Sequence, residues 1–170
     1  LNPIEKQKLQ LPELPASQSR VTLLRSSENV DYTQGVFILN EDWFGHNNST
    51  INFMTSSGDF AYRIFQTANP GKELGCTSQF GTIFGDNMFI TSKQPKDGGA
   101  SIEGGRLNVV DAKTMKVKAQ FTDIGGGDGR AFLGVNDSVG YIGASNGIFL
   151  FDIKNLTVGD QLKGASNSGG

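Results

Sequence analysis

The sequence predicts an all-β fold: a β-propeller of four-stranded antiparallel blades, about three of them in this chain. Three observations carry the prediction. Residues 35–39 (GVFIL), 87–91 (NMFIT) and 139–143 (VGYIG) align, and their central aromatics, Phe37, Phe89 and Tyr141, stand at two equal intervals of 52 residues. Each segment is followed by a second apolar run that ends in a polar turn, at 50–54, 107–111 and 148–152. A repeat of this length, built from short strands, marks a propeller, whose blades run at roughly 40–50 residues. The third observation is composition. With 23 glycines, 36% hydrophobic and 19% charged residues in a chain of 170, turns are many and charges few, as in all-β proteins of short strands.

Taken in order, residues 1–19 hold Pro3, Pro12 and Pro15 among Gln and Lys and read as an extended tether without a core of its own. Residues 20–170 read as blades, divided near 20–75, 76–126 and 127–170. In the first, 35–40 and 50–54 are strands, 56–58 a turn and 61–65 an outer strand; its opening strand is either 21–25 or missing. The middle unit is the clearest. Strands are expected at 79–84, 88–92, 106–111 and 116–121, with Gly85-Asp86-Asn87 as a tight hairpin turn and 93–105 as a long polar loop. The last unit repeats it at 130–135, 139–144, 147–152 and 157–162.

The inner strands are apolar on consecutive positions, as at Ile148-Phe149-Leu150-Phe151. A sheet with one solvated face would alternate, so both faces of each blade are expected to be buried against neighbours. The outer strand 116–121 does alternate, with Lys116 and Lys118 blunting its edge. Closed propellers have four to eight blades. Three units therefore imply either a longer protein or closure with a second copy.

Several classes fall away. The net charge of −2 and pI near 5.4 give no electrostatic footprint for nucleic acid. No apolar run approaches the ~18 residues of a membrane helix. Residues 1–20 lack the apolar core of a signal peptide, so a leader is expected only upstream of them. A single cysteine, Cys76, leaves no intrachain disulfide and no cysteine-based metal site.

The segments 35–48, 69–76 and 109–117, the last reading Val109-Val110-Asp111-Ala112-Lys113-Thr114-Met115 across a strand and its turn, resemble the envelope β-propellers of Bacteroides-type gut bacteria. Those are similar to the YVTN and quinoprotein-amine-dehydrogenase-like propellers. The resemblance covers roughly residues 35–164. It implies a location on the bacterial cell envelope, as an outer-membrane surface lipoprotein or a periplasmic protein, and a longer parent chain. Some relatives are lipoproteins that capture cobalamin beside a TonB-dependent transporter, so a transporter or another envelope protein is an implied partner. The resemblance carries over no ligand-binding residue and implies no resident cofactor.

Strand order places the long loops 40–49, 69–76, 93–105 and 125–130 on one rim, and binding residues concentrate on loops held by a rigid scaffold. The loop at 40–49 carries the only Trp and the only His. Trp43 and Phe44 offer stacking surface for a sugar or planar ligand, or else plug the base of the loop between blades. His46, Asn47 and Asn48 offer polar contacts, although one His without a partner His or Cys rarely holds a metal. Lys96 sits among solvated charges of the next loop. The run Gly125-Gly126-Gly127-Asp128-Gly129-Arg130 lacks the Gly-Lys-Ser/Thr ending of a P-loop and the carboxylate spacing of a calcium loop. It is either a tight passage using positive φ or places Asp128 and Arg130 at a channel mouth. No nucleophile–base set is visible. The expectation is a non-catalytic module binding a corrinoid, a glycan or a protein partner. The alternatives are a propeller enzyme of lactonase or lyase type, which would need more metal ligands than this chain offers, and a pure protein scaffold.

Overall fold

The computed structural model describes residues 30–42 and 45–165. Three antiparallel sheets follow one another along them. The first contains β1 (Gly35–Asn40), β2 (Thr50–Thr55) and β3 (Phe60–Ala61), followed by the helix α1 (Ile64–Ala68). The second contains β4 (Cys76–Phe84), β5 (Asn87–Gln94), β6 (Leu107–Asp111) and β7 (Val117–Phe121). The third contains β8 (Gly129–Gly134), β9 (Val139–Ala144), β10 (Gly147–Asp152) and β11 (Thr157–Gln161). In each sheet, strands adjacent in sequence are adjacent in space.

The repeat is present at the level of register. Phe37, Phe89 and Tyr141 each occupy the third position of their strand, opposite Phe53, Val109 and Leu150. This makes β1, β5 and β9 equivalent, and likewise β2, β6 and β10. The β4–β5 hairpin closes with two loop residues between the partners Phe84 and Asn87. Gly85 stands first in that loop at φ 60°, as primed hairpin turns require. The expected strand 21–25 lies outside the described residues.

Two expectations are corrected. Residues 61–65 do not form a strand. β3 stops after Ala61, Arg63 turns to φ 50°, and α1 begins. A strand would send Ile64 and Phe65 to opposite faces. The helix turns both into one core with Ile51, Phe53, Leu74, Met88 and Ile90. Asn69 fixes that turn in place: its Nδ2 donates to the carbonyls of Phe65 and Met115, both at 2.8 Å, and its Oδ1 accepts from Val117 N at 2.9 Å. The second correction concerns burial. The middle sheet buries both faces as expected, Met88 and Ile90 on one side and Phe89 and Val109 on the other. The third sheet does not. Phe149 and Phe151 point into the shared core while Leu150 between them is exposed.

The second core, between the second and third sheets, is aromatic. Phe89 stacks on Phe132 with centroids 3.8 Å apart and planes at 6°, and Phe151 meets both rings edge-on. Such pairs add about 0.5–1.5 kcal/mol beyond area burial. Gly134 permits the close approach of the two sheets, because a Cβ there would strike the ring of Phe84.

Candidate functional site

The ends of the sheets at Asn40/Thr50, Gln94/Leu107 and Gly129/Ala144 carry the long connections. Hydrogen bonds tie these loops together. Ser49 N donates to the Gly75 carbonyl at 2.9 Å, and Ser49 Oγ accepts from Ser78 N at 2.8 Å. Arg106 Nη1 donates to the Thr122 carbonyl at 2.7 Å. Gly129 lies against the Ser92 and Arg106 carbonyls, close enough that a Cβ would come within 2.6 Å of each.

The anchor of this rim is Asp97, a carboxylate with no exposed surface. It accepts from Gly45 N at 2.7 Å, from Gly99 N at 2.8 Å and from the Cys76 thiol at 3.3 Å. Its own N–H donates to Asn48 Oδ1 at 2.8 Å, and Asn48 Nδ2 donates to the Ile102 carbonyl at 2.7 Å. The β1–β2 loop is thus latched to the β5–β6 loop. The amides of Gly99 and Gly45 hold the Asp97 carboxyl below its ordinary range in spite of burial, helped by the thiol and the charge of His46. The same environment acts oppositely on Cys76. Burial first, then the hydrogen bond to Asp97 and the charges of Asp97 and Asp42, push its thiol up to about 12. Cys76 therefore stays protonated at neutral pH and serves as a donor, not a nucleophile.

Beside this latch lies a polar cleft of about 150 Å³. Asn47, Asn48, Ser101, Ile102, Arg63 and Glu73 are among the residues that line it. Arg63 Nη2 pairs with Glu73 Oε1 at 3.4 Å, and Gln66 Nε2 donates to Glu73 Oε2 at 2.7 Å. The buried Gln66 Oε1 has no partner. Arg63 is itself the left-handed residue that precedes α1, at φ 50°.

The residues singled out from sequence are distributed as follows. Trp43 and Phe44 lie outside the described residues. His46 and Asn47 are exposed and Asn48 is buried; the two asparagines line the cleft, His46 does not. Lys96 is exposed beside Asp97 and does not line the cleft. Asp128 and Arg130 pair with each other at 3.6 Å at the start of the third sheet, away from the cleft lining. The glycine run makes the passage into that sheet. Gly125 and Gly126 have φ of 106° and 89°, and Asp123 Oδ1 accepts from both amides. Asp97 falls among the charges of 93–106 that the sequence reads as mostly solvated and is instead buried; Arg63, Glu73 and Ser101 are not among the candidates. The signal for Asp97 was present in the Asp97-Gly98-Gly99 turn sequence; Arg63 had none, since its place depends on a helix that the repeat did not announce.

Among the described residues no group of three or more His, Cys, Asp or Glu side chains is placed to hold a metal, and no helix is long and apolar enough to cross a membrane. Fold and site together define an all-β protein of consecutive, face-packed antiparallel sheets with a polar cleft on its loop-bearing rim. Residues 34–170 match the family described as Domain of unknown function (DUF5074), and the chain belongs to that family. No curated protein matches it.

Proposed function

We propose that this chain is a non-catalytic binding module of the bacterial cell envelope, that its sheets are consecutive blades of a β-propeller, and that its loop-bearing rim captures a glycan for uptake beside a TonB-dependent transporter. The cleft between Asn47, Ser101, Arg63 and Glu73 supports this reading. Its volume of about 150 Å³ corresponds to roughly five waters at ~30 Å³ each. That suits one sugar ring and falls short of the ~300–1,000 Å³ that enclose larger ligands, so a saccharide is favoured over a corrinoid. An arginine, a carboxylate, an amide and a hydroxyl offer both donors and acceptors to neighbouring sugar hydroxyls. The envelope location and the transporter rest on the resemblance of residues 35–48, 69–76 and 109–117 alone.

Titration calorimetry against a panel of host and plant oligosaccharides tests the reading. Binding is expected, with an Arg63→Ala, Asn47→Ala double variant weakened at least tenfold, about 1.4 kcal/mol. Absence of binding to the panel, or undiminished binding by the folded double variant, overturns the glycan reading in favour of a scaffold.

A further inference from the structure

We infer that the sugar taken by the cleft is a uronic acid, held through its carboxylate by Arg63. The inference rests on the glycan reading of the rim and adds to it the charge of the ligand. It is carried by the hydrogen-bonding capacity that the side chains of the cleft have left over. Asn48 is engaged at both ends of its amide, by Asp97 N and by the Ile102 carbonyl. Glu73 is engaged at both oxygens, by Arg63 Nη2 at Oε1 and by Gln66 Nε2 at Oε2. Gln66 Nε2 also donates to the Ser49 carbonyl at 3.3 Å. Both groups that it faces are acceptors, so the amide nitrogen and not the oxygen belongs there. The Glu73 side chain keeps only 20% of its surface exposed. Asp97, bonded to the cleft residue Gly99, is buried, and its carboxylate accepts from Gly45 N, Gly99 N and the Cys76 thiol. Both carboxylates at the cleft are therefore met by donors of the protein itself.

Arg63 is in the opposite condition. Its side chain is 53% exposed, and its one contact is that between Nη2 and Glu73 at 3.4 Å. A guanidinium carries five N–H donors in a planar fork, so most of this one is open to a ligand. Its pair with Glu73 meets solvent, and such pairs hold weakly, which leaves the guanidinium able to serve a second carboxylate. Asn47 and Ser101 add an amide and a hydroxyl, each able to donate and to accept, so they do not offset the excess of donors. The capacity that the side chains leave for a ligand is thus cationic. A carboxylate matches the guanidinium fork with two parallel bonds, each roughly twice as strong as a bond between neutral groups. A neutral sugar leaves that fork to water; a sugar carboxylate, ionised at neutral pH, uses it. Volume selects among acidic sugars. About 150 Å³ suits one ring with compact substituents. A uronic acid carries its carboxylate on the ring in place of a hydroxymethyl group and adds no bulk, whereas acidic sugars with long polyol and acyl side chains exceed the cleft.

The test is titration calorimetry of the 170-residue chain with oligomers of galacturonic acid and of glucuronic acid, each set against its carboxyl-reduced neutral counterpart. Reduction exchanges the carboxylate for a hydroxymethyl group and keeps ring and linkage, so the difference in affinity reads the charge. At least one acidic series is expected to bind at least tenfold more tightly than its counterpart, about 1.4 kcal/mol. The preference should fade as ionic strength rises from about 0.01 M to about 1 M, where the Debye length shrinks from ~30 to ~3 Å. Arg63→Gln should abolish the preference while circular dichroism stays unchanged, because the side chain is 53% exposed. Equal affinity for acidic and neutral oligomers, a preference indifferent to salt, or one that survives Arg63→Gln would overturn the inference and leave the glycan reading standing. Binding of neutral glycans alone would do the same. Absence of binding to every saccharide would overturn both.

Discussion

Replacing Asp97 by asparagine removes one charge and almost no volume, and two effects then compete. Burying an ionised carboxylate is costly, so neutralising it relieves the fold. Against this, the charge accepts from Gly45 N at 2.7 Å and Gly99 N at 2.8 Å, and hydrogen bonds to a charged group are worth about 1.5–3 kcal/mol each. Asparagine keeps one acceptor oxygen. One backbone donor stays partnered while the other faces an amide NH₂. The direction of the Asp97 shift decides between the effects: the carboxyl is held below its ordinary value, so the surroundings favour the charged form despite burial. Asp97→Asn should therefore destabilise the chain by about 3 kcal/mol at pH 7, from one lost charge-assisted bond and one orphaned donor. For a chain of this size that is a fall in Tm of about 6–12 °C. A depressed folded-state pKa contributes stability that is complete above the unfolded value near 3.9 and is lost as pH falls through the folded value. Urea titrations followed by circular dichroism, at pH 7 and then in steps below pH 4, should show the gap between wild type and variant narrowing with acid. Equal stability at pH 7, or a gap undiminished by acid, would refute the reasoning.

The remaining predictions concern the core and the thiol. Phe89→Ala, which removes the ring stacked on Phe132 and touching Phe151, should cost about 3–5 kcal/mol and be visible in the same titrations. It should exceed the cost of Phe60→Ala on the half-buried two-residue strand β3; a smaller effect would contradict the placing of the second core. Cys76, with its thiol pushed up to about 12 and no exposed surface, should resist Ellman's reagent at pH 8 until denaturant is added. Rapid labelling of the native chain would contradict both its burial and its bond to Asp97.

The order of sheets was legible because period-two strands and tight turns leave local marks. The pair Gly85-Asp86 falls in the turn where it is expected, and β9 and β10 have their expected bounds. The first unit was less legible. Its repeat matches the others through Thr50–Thr55 and then departs, because Ile64, Phe65 and Leu74 are selected by the core beneath the second sheet and not by the strand period. The rim was legible as a set of loops and illegible as a cleft. Loop lengths and polar content mark where long connections fall; they do not mark which side chains meet. Asn47 and Asn48 stood out as amides beside aromatics, yet only the long-range bonds of Asp97, 49 residues from Asn48, show that one of them is a strut and its neighbour a wall.

That division of labour bears on how the proposed binding rim can vary without loss of the fold. Asn48, Asp97 and Ser49 are buried and joined to backbone atoms of neighbouring loops, and the buried Cys76 thiol donates to the Asp97 carboxylate. Changing Asn48, Asp97 or Ser49 leaves a buried polar group unpartnered, at about 1–3 kcal/mol. Asn47 and Ser101 stand on the same loops and Arg63 between β3 and α1, but all three meet solvent, where substitutions usually fall within about 0.5 kcal/mol. Positions fixed by latching thus alternate with positions open to change, and a single residue separates the two kinds at Asn47 and Asn48. A cleft arranged this way can change what it contacts through Asn47, Ser101 and Arg63 while Asp97 keeps the two loops at a fixed separation. The sheets beneath contribute a rigid base, since both faces of the middle one are packed. The consequence is that ligand preference and stability should respond to different residues: substitution at Asn47 should alter the first with little effect on the second, and substitution at Asn48 should lower the second whatever the ligand.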